Sequence, residues 1–142
     1  MNRALLRSGA LLLLLGLLTG LAIPALRNPR AGLAAHVEGV MNGMLLLLVG
    51  SIWGHVVLGP RRKKALQWLL LYGTFANWVA TLLSAVLGTT ALTPIAGAGF
   101  SGTAAQEALV WTILISVGLT MIAAVALLMA GLWQRVAGST DG

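Results

Sequence analysis

Three side chains at the start of one apolar stretch have the functional groups for chemistry: His36, Glu38 and Asn42. Glu38 and Asn42 are four residues apart, which places them on one face of a helix. At about 100° per residue, Gly39 and Gly43 fall within about 60° of His36. A flat macrocycle could lie on this glycine strip with its iron on the imidazole, since histidine is a common axial ligand of haem. Close helix packing through the same glycines is the alternative.

A second polar pattern follows in a later apolar stretch. Thr74, Asn77, Thr81 and Ser84 are spaced i, i+3, i+7 and i+10, which is one helical face. Within a membrane such a face must point to the bundle interior or to a subunit interface. Hydrogen bonding between helices can explain Thr74 and Ser84, whereas the Asn77 carboxamide can both donate to and accept from a substrate. Tyr72 lies about 140° from Asn77 and therefore outside this face.

Other kinds of active site find little support in the chain. Glu107 begins the last apolar stretch, where the helix dipole favours an acidic residue. There is no cysteine, which excludes disulfides, iron–sulfur clusters and thiolate catalysis. No nucleophile–base pair, phosphate-binding loop or cluster of histidines is present. An enzyme built from these residues would need a cofactor to carry its chemistry.

The elements that position these residues are transmembrane helices. Of 142 residues, 58% are apolar and 8% are charged, with a mean hydropathy of +0.94. Uncharged runs long enough to cross a bilayer occupy most of the chain. We therefore predict an all-α integral membrane protein, a four-helix bundle forming one domain over residues 1–136 and a disordered tail over 137–142. The predicted helices span about residues 5–26, 34–58, 65–87 and 106–133, and the first is predicted to be a retained anchor.

The charge distribution predicts orientation. The net charge is +6, but no basic patch interleaved with aromatic residues is present, so no nucleic-acid partner is expected. Seven Lys and Arg residues fall on the side of the termini and the second loop, and two fall on the other side. The positive-inside rule then places both termini in the cytoplasm and the chain in the bacterial inner membrane as a multi-pass protein. The nine basic residues are Arg3, Arg7, Arg27, Arg30, Arg61, Arg62, Lys63, Lys64 and Arg135.

Several segments resemble one enzyme family. Residues 32–43 (GLAAHVEGVMNG), 72–78 (YGTFANW) and 94–100 (PIAGAGF) resemble the corresponding segments of bacterial hydroxylaminobenzene mutases, and so do residues 20–26 at the end of the first helix. The resemblance extends over nearly the whole chain. It implies an isomerase that converts the small aromatic N-phenylhydroxylamine to 2-aminophenol by moving the hydroxyl from nitrogen to the ortho carbon. The family is a distant relative of styrene oxide isomerase.

The resemblance also implies a cofactor and an assembly. Styrene oxide isomerase is a homotrimer that uses ferric haem b as a Lewis acid, and its haem ligand corresponds to His36. Its two active-site asparagines correspond to Asn42 and Asn77, and a tyrosine is replaced here by Thr81. We therefore expect His36 to bind iron, with the haem near subunit interfaces, and Asn42, Asn77 and Thr81 to contact the substrate.

The expected haem site has further members. Gly39 and Gly43 would lie against the macrocycle, and Arg27 and Arg30 are candidate partners of its propionates. In this hypothesis the ferric iron polarises the hydroxylamine oxygen. A dry, apolar pocket would prevent bulk water from capturing a cationic intermediate and giving the para product.

Three other functions fit the same composition. The polar residues could line the pathway of a small transporter or channel, or the chain could be a haem-binding structural subunit of a larger complex. Ligation of one iron by both His36 and His55 is not expected within one subunit, since they would lie roughly 28 Å apart on one helix. An epoxide isomerase is the third alternative, against which Thr81 argues because it replaces the tyrosine.

Overall fold

The computed structural model describes residues 1–134, and the regular elements in this range are all helical. The predicted disordered tail, residues 137–142, lies outside the described residues. Four helices are long and apolar enough to cross a membrane. The helices are α1 (Arg3–Ala22), α2 (Pro29–Ser51), α3 (Pro60–Leu87), the short α4 (Pro94–Gly97) and α5 (Ala104–Trp133).

Helix α1 begins two residues earlier than predicted. The Asn2 side chain accepts hydrogen bonds from the backbone amides of Ala4 and Leu5, so it caps the helix. A 3₁₀ turn, Ile23–Ala25, continues from the end of α1. The turn contains Pro24. Because proline has no amide hydrogen, it cannot continue the hydrogen bonding of the α-helix.

The predicted bounds of the second helix, 34–58, are wrong at both ends. Helix α2 begins at Pro29, because the Asn28 side chain accepts from the amides of Arg30 and Ala31. It ends at Ser51 and is followed by a 3₁₀ turn, Trp53–His55. His55 therefore lies outside the helix that carries His36. Beyond this turn the Val57 amide donates to the carbonyl of Gly131 in α5. In a continued α2 helix this amide would instead donate to a carbonyl of its own helix.

Helix α3 begins at Pro60 rather than at residue 65, so the four basic residues 61–64 form its first turns instead of a loop. It ends at Leu87, and the next residue, Gly88, has a φ of 74°, in the left-handed region that favours glycine. Helix α5 begins at Ala104 with a capping box, in which Thr103 and Gln106 exchange side chain–backbone hydrogen bonds. The loop between them contains α4, which was not predicted.

The helices pack in the order α1, α2, α3, α5, each against the next. The first two are in the closest contact, through glycines of both helices. A buried aliphatic cluster fills the end of the bundle where α1 begins. Its fully buried members are Leu5, Leu12, Leu46, Val49, Val56, Leu66, Leu70 and Ala124.

Candidate functional site

The structure brings the two predicted asparagines together around Glu38. The Asn77 Nδ2 of α3 donates to the Glu38 Oε2 at 2.5 Å, and the Asn42 Nδ2 lies 3.4 Å from the same oxygen. The Asn42 Nδ2 also lies 3.4 Å from the carbonyl oxygen of Thr74. Asn42 is 8% exposed, while Glu38 and Asn77 are half-buried. We call Glu38, Asn42 and Asn77 the carboxylate cluster.

The orientation of the amides follows from the carboxylate. An ionised carboxylate only accepts hydrogen bonds, so the NH₂ groups of Asn42 and Asn77 must face Glu38. Their carbonyl oxygens then point away from it, and neither accepts a hydrogen bond within residues 1–134. The Glu38 Oε1 likewise has no hydrogen-bond partner in that range. The cluster thus offers three unused acceptor atoms.

A small, almost wholly apolar pocket lies next to the cluster, between α2, α3, α4 and α5. Ala34 in its wall is one turn from Glu38 on the same face of α2. Thr81 is likewise one turn from Asn77 on α3. On both helices the pocket therefore begins one turn from the carboxylate cluster. The pocket is lined by Ala31, Ala34, Thr81, Ser84, Thr93, Ala96 and Leu114.

Thr81 contributes to the pocket more than to the cluster. Its hydroxyl donates to the carbonyl oxygens of Asn77 and Trp78 in its own helix, at 2.9 and 3.0 Å. The hydroxyl proton is therefore already used, and the lone pairs of the oxygen are the groups that Thr81 can offer a substrate.

His36 is held as a metal-ligating histidine usually is. Its Nδ1 lies 2.8 Å from the carbonyl oxygen of Gly16 in α1, so Nδ1 carries the proton and donates it. The Nε2 then has a free lone pair, and it makes no hydrogen bond within the described part of the chain. A carbonyl that fixes the tautomer and ring orientation is the common outer partner of such a ligand. The ring is half-buried and packs against Gly20. The imidazole therefore fits the role of an axial haem ligand.

The two glycines predicted to lie under a macrocycle do not fit that role. A Cβ atom on Gly39 would be 2.5 Å from the Gly16 Cα, and one on Gly43 would be 2.6 Å from the Leu13 backbone nitrogen. The backbone of α1 occupies the space beside both glycines. Gly39 and Gly43 therefore serve the close packing of α1 against α2, which was the alternative interpretation of this glycine strip.

His36 and the carboxylate cluster lie on different faces of α2. His36 faces α1, and Glu38 faces α3, about 160° away at about 100° per residue. Within a single chain the expected iron ligand and the two asparagines therefore do not face one common site. The spacing of His36 and Asn42 could not show this, because it does not say which neighbouring helix covers each face.

Arg27 and Arg30, the predicted propionate partners, bind the loop after α3. Arg27 donates to the carbonyl of Leu87 at 2.6 Å and to that of Ser101 at 3.3 Å. Arg30 donates to the carbonyl of Ala98. Both guanidinium groups thus donate hydrogen bonds to backbone carbonyls around a loop that has few regular hydrogen bonds of its own.

Glu107 holds the same loop from the other side. Its carboxylate accepts hydrogen bonds from the backbone amides of Thr90, Ala91 and Gly102, at 2.9–3.0 Å. The sequence suggested only that Glu107 interacts with the helix dipole. It could not identify these amide partners, because they lie in the loop and not beside Glu107 in the sequence. Tyr72 bonds Ser116 of α5 at 2.6 Å, away from the carboxylate cluster as expected.

Trp78 is a contributor to the site region that sequence reasoning passed over. Its Nε1 donates to the Thr19 hydroxyl of α1 at 3.2 Å, and its ring edge lies against Gly39. Trp78 thus links α1, α2 and α3 directly beside Asn77. The only sequence feature that could have indicated this role is that Trp78 directly follows Asn77.

Comparison with known proteins identifies the family. The model of the styrene oxide isomerase family matches residues 1–133. Hydroxylaminobenzene mutase HabB of Ectopseudomonas oleovorans is 49% identical over 131 residues, covering 92% of this chain and 80% of the relative. Hydroxylaminobenzene mutase HabA of the same organism is 41% identical over 133 residues, covering 93% and 98% respectively. No solved structure matches the chain at a significant level.

Proposed function

The chain belongs to the styrene oxide isomerase family, and from this premise we propose that it is a hydroxylaminobenzene mutase. It converts N-phenylhydroxylamine to 2-aminophenol by moving the hydroxyl group from nitrogen to the ortho carbon. The similarity of two curated mutases over most of the chain supports an isomerase of this type. The carboxylate cluster is the structural observation on which the proposal rests.

The cluster is suited to an aryl hydroxylamine. Such a substrate has an N–H and an O–H group, and both donate hydrogen bonds. The carbonyl oxygens of Asn42 and Asn77 are acceptors that their own contacts with Glu38 turn away from the carboxylate. They bind and orient the nitrogen and oxygen of the substrate, while the ring lies against the apolar side chains at the mouth of the pocket that begins one turn away.

The pocket controls the position of the product hydroxyl. Its walls are alanine, leucine and small hydroxyl side chains. Water that reached a cationic ring would add mainly at the para carbon, whereas a dry pocket keeps the departing hydroxyl beside the ortho carbon. The pocket therefore favours the ortho product by excluding water.

His36 would hold the iron of a ferric haem b through its Nε2, and Gly16 would keep the ring in the correct tautomer. When bound, the iron supplies Lewis acidity toward the substrate oxygen. Asn42, Asn77 and Glu38 lie on another face of α2, so a single subunit does not bring them beside His36. A homotrimer with haem near the subunit interfaces accommodates this separation.

The enzyme is proposed to be a multi-pass protein of the bacterial inner membrane with both termini in the cytoplasm. Arg3 and Arg7 begin α1 and residues 61–64 begin α3 at one end of the bundle, where Asn2 contacts Gln67 and Gly50. Arg27 and Arg30 are at the opposite end. This asymmetry supports the orientation. The transporter, structural-subunit and epoxide-isomerase alternatives are outcomes of the test below.

The decisive experiment gives the purified protein N-phenylhydroxylamine in water enriched in oxygen-18. We expect 2-aminophenol that carries no label, because the hydroxyl oxygen stays in the pocket throughout. Labelled 2-aminophenol, or 4-aminophenol as the main product, would contradict the proposed migration. Styrene oxide is the comparison substrate, and its conversion without aminophenol formation would favour the epoxide isomerase. No turnover of either compound would favour the two non-enzymatic alternatives.

A further inference from the structure

The proposed reaction has a proton requirement. The hydroxyl leaves nitrogen with the electron pair of the N–O bond, and its oxygen uses a pair to bond the ortho carbon. That carbon then loses its hydrogen as a proton, and the C–H pair restores the aromatic ring and the electron density at nitrogen. The nitrogen starts with one hydrogen and ends with two, so it takes up a proton. The enzyme therefore needs a group that carries one proton from carbon to nitrogen and ends unchanged, with no oxidant or reductant.

We propose that Glu38 is this group: its carboxylate takes the proton from the ortho carbon of the substrate and returns it to the nitrogen. The inference rests on the proposed mutase function. It assigns a catalytic role to a side chain that the packing of α2 on α3 places between Asn42 and Asn77.

The contacts of Glu38 are those of a positioned base. One oxygen, Oε2, is held by the amides of Asn77 and Asn42, which fixes the carboxylate plane. The other oxygen, Oε1, makes no hydrogen bond within residues 1–134 and is the atom able to accept a proton. The hydrogen-bond partners of Glu38 in that range are the neutral carboxamides of Asn77 and Asn42.

The position of Glu38 matches the path of the proton. The amides that hold the carboxylate belong to the same side chains whose carbonyl oxygens would bind the substrate N–H and O–H. The carboxylate is therefore next to the atom that must gain the proton. The apolar pocket for the ring begins one turn from Glu38 along α2, on the same helical face. The nitrogen and the ortho carbon are two bonds apart in the substrate, so one carboxylate can reach both.

Several other acid–base groups in the described residues are engaged elsewhere or lie far from the pocket, and the Nε2 of His36 is the proposed iron ligand. The Nδ1 of His36 donates to Gly16. Glu107 accepts from three backbone amides at the loop. Tyr72 is 49% exposed and bonds Ser116 between α3 and α5. His55 lies in the turn after α2, near the opposite end from the pocket.

The test compares Glu38→Gln and Glu38→Ala with the control Tyr72→Phe, which also removes a polar group from the bundle. Glu38→Gln keeps the side-chain size and an oxygen that can accept from Asn77. We expect it to lower the rate of 2-aminophenol formation by about 100-fold or more, the usual contribution of a general base. Substrate deuterated at both ortho carbons should then react distinctly more slowly than unlabelled substrate, since proton removal has become limiting. Tyr72→Phe should keep the wild-type rate.

Chemical rescue keeps the test independent of folding. Glu38→Ala should regain turnover with added formate or acetate, and the rescued rate should rise with the basicity of the carboxylate. A Glu38→Gln variant as active as the wild type would overturn the inference. So would a slow variant without an ortho deuterium effect together with a Glu38→Ala variant that no carboxylate rescues, because this pattern indicates a purely structural side chain. If the wild type itself forms no 2-aminophenol, the proposed function fails instead, and the two failures are thereby distinguished.

Discussion

A carboxylate among apolar helices is costly, and at the scale of the residue Glu38 shows how the fold offsets this cost. The two carboxamides that donate to its Oε2 replace part of the hydration that it loses. A polar group in such surroundings indicates a function when one of its hydrogen-bonding atoms has no partner within the protein and can bind a substrate. Glu38 meets that condition through its second oxygen.

The sequence alone makes Asn42 and Asn77 candidate site residues, because their spacing and the family resemblance single out these carboxamides. The pairing of Asn77 with Glu38 could not, since 39 positions separate these residues and only packing of α2 on α3 joins them. The assignment of Gly39 and Gly43 to a cofactor failed for a related reason. A glycine strip has the same pattern whether a macrocycle or another helix covers it.

The prediction at this scale concerns His36. Protein purified from haem-replete cells should show a haem absorption band, and His36→Ala should abolish the band together with turnover, because its free Nε2 is the proposed iron ligand. Circular dichroism should show that the variant retains its helices. His55→Ala is the matched control, since it removes the other imidazole from the turn after α2, and it should retain the band. A band of normal intensity in His36→Ala would contradict this assignment.

At the scale of the element, the contact of α1 with α2 depends on the absence of side chains. A Cβ on Gly16 would lie 2.6 Å from the Val40 nitrogen, and one on Gly9 would lie 2.8 Å from the Gly43 carbonyl oxygen. These neighbours are backbone atoms, so they cannot move away as a flexible side chain would. The close approach also brings the Gly16 carbonyl within reach of His36. Helix packing thus sets the orientation of the proposed ligand.

Substitution of Gly39 tests this contact. Gly39→Ala should destabilise the protein by about 1–3 kcal/mol, the usual cost of overpacking, because the added methyl meets both Gly16 and the Trp78 ring. Thermal unfolding in detergent measures the effect. Gly118→Ala is the matched control, since a Cβ there meets no atom within 4 Å and alanine favours helix. An unfolding temperature of Gly39→Ala equal to that of Gly118→Ala would be inconsistent with the contact.

Helix existence was predictable and helix ends were less so. Long uncharged runs give four apolar helices, and the capping box at Thr103 is visible in the sequence. Asn28 could have been recognised as a cap before Pro29. The end of α2 at Ser51 could not, because the apolar sequence continues and the chain leaves the helix to bond Gly131 of α5.

At the scale of the whole molecule, the two ends of the bundle differ in charge and in architecture. One end has the clustered basic residues that begin α1 and α3. The other end has the loop 88–103, held by Arg27, Arg30 and Glu107 next to the apolar pocket. In the proposed orientation the basic end faces the cytoplasm and the pocket lies near the opposite membrane surface. Substrate would then enter the pocket from that side.

The chain has no cysteine, so single cysteines can report this orientation without background labelling. Ile95→Cys places a thiol at the loop end, where Ile95 is 88% exposed. Gly54→Cys places one in the exposed turn after α2, where an added Cβ meets no atom within 4 Å. A membrane-impermeant maleimide should label Ile95→Cys in intact spheroplasts and Gly54→Cys only after lysis, because the positive-inside rule retains the basic end in the cytoplasm. The reverse labelling pattern would invert the proposed orientation and move the pocket to the cytoplasmic surface.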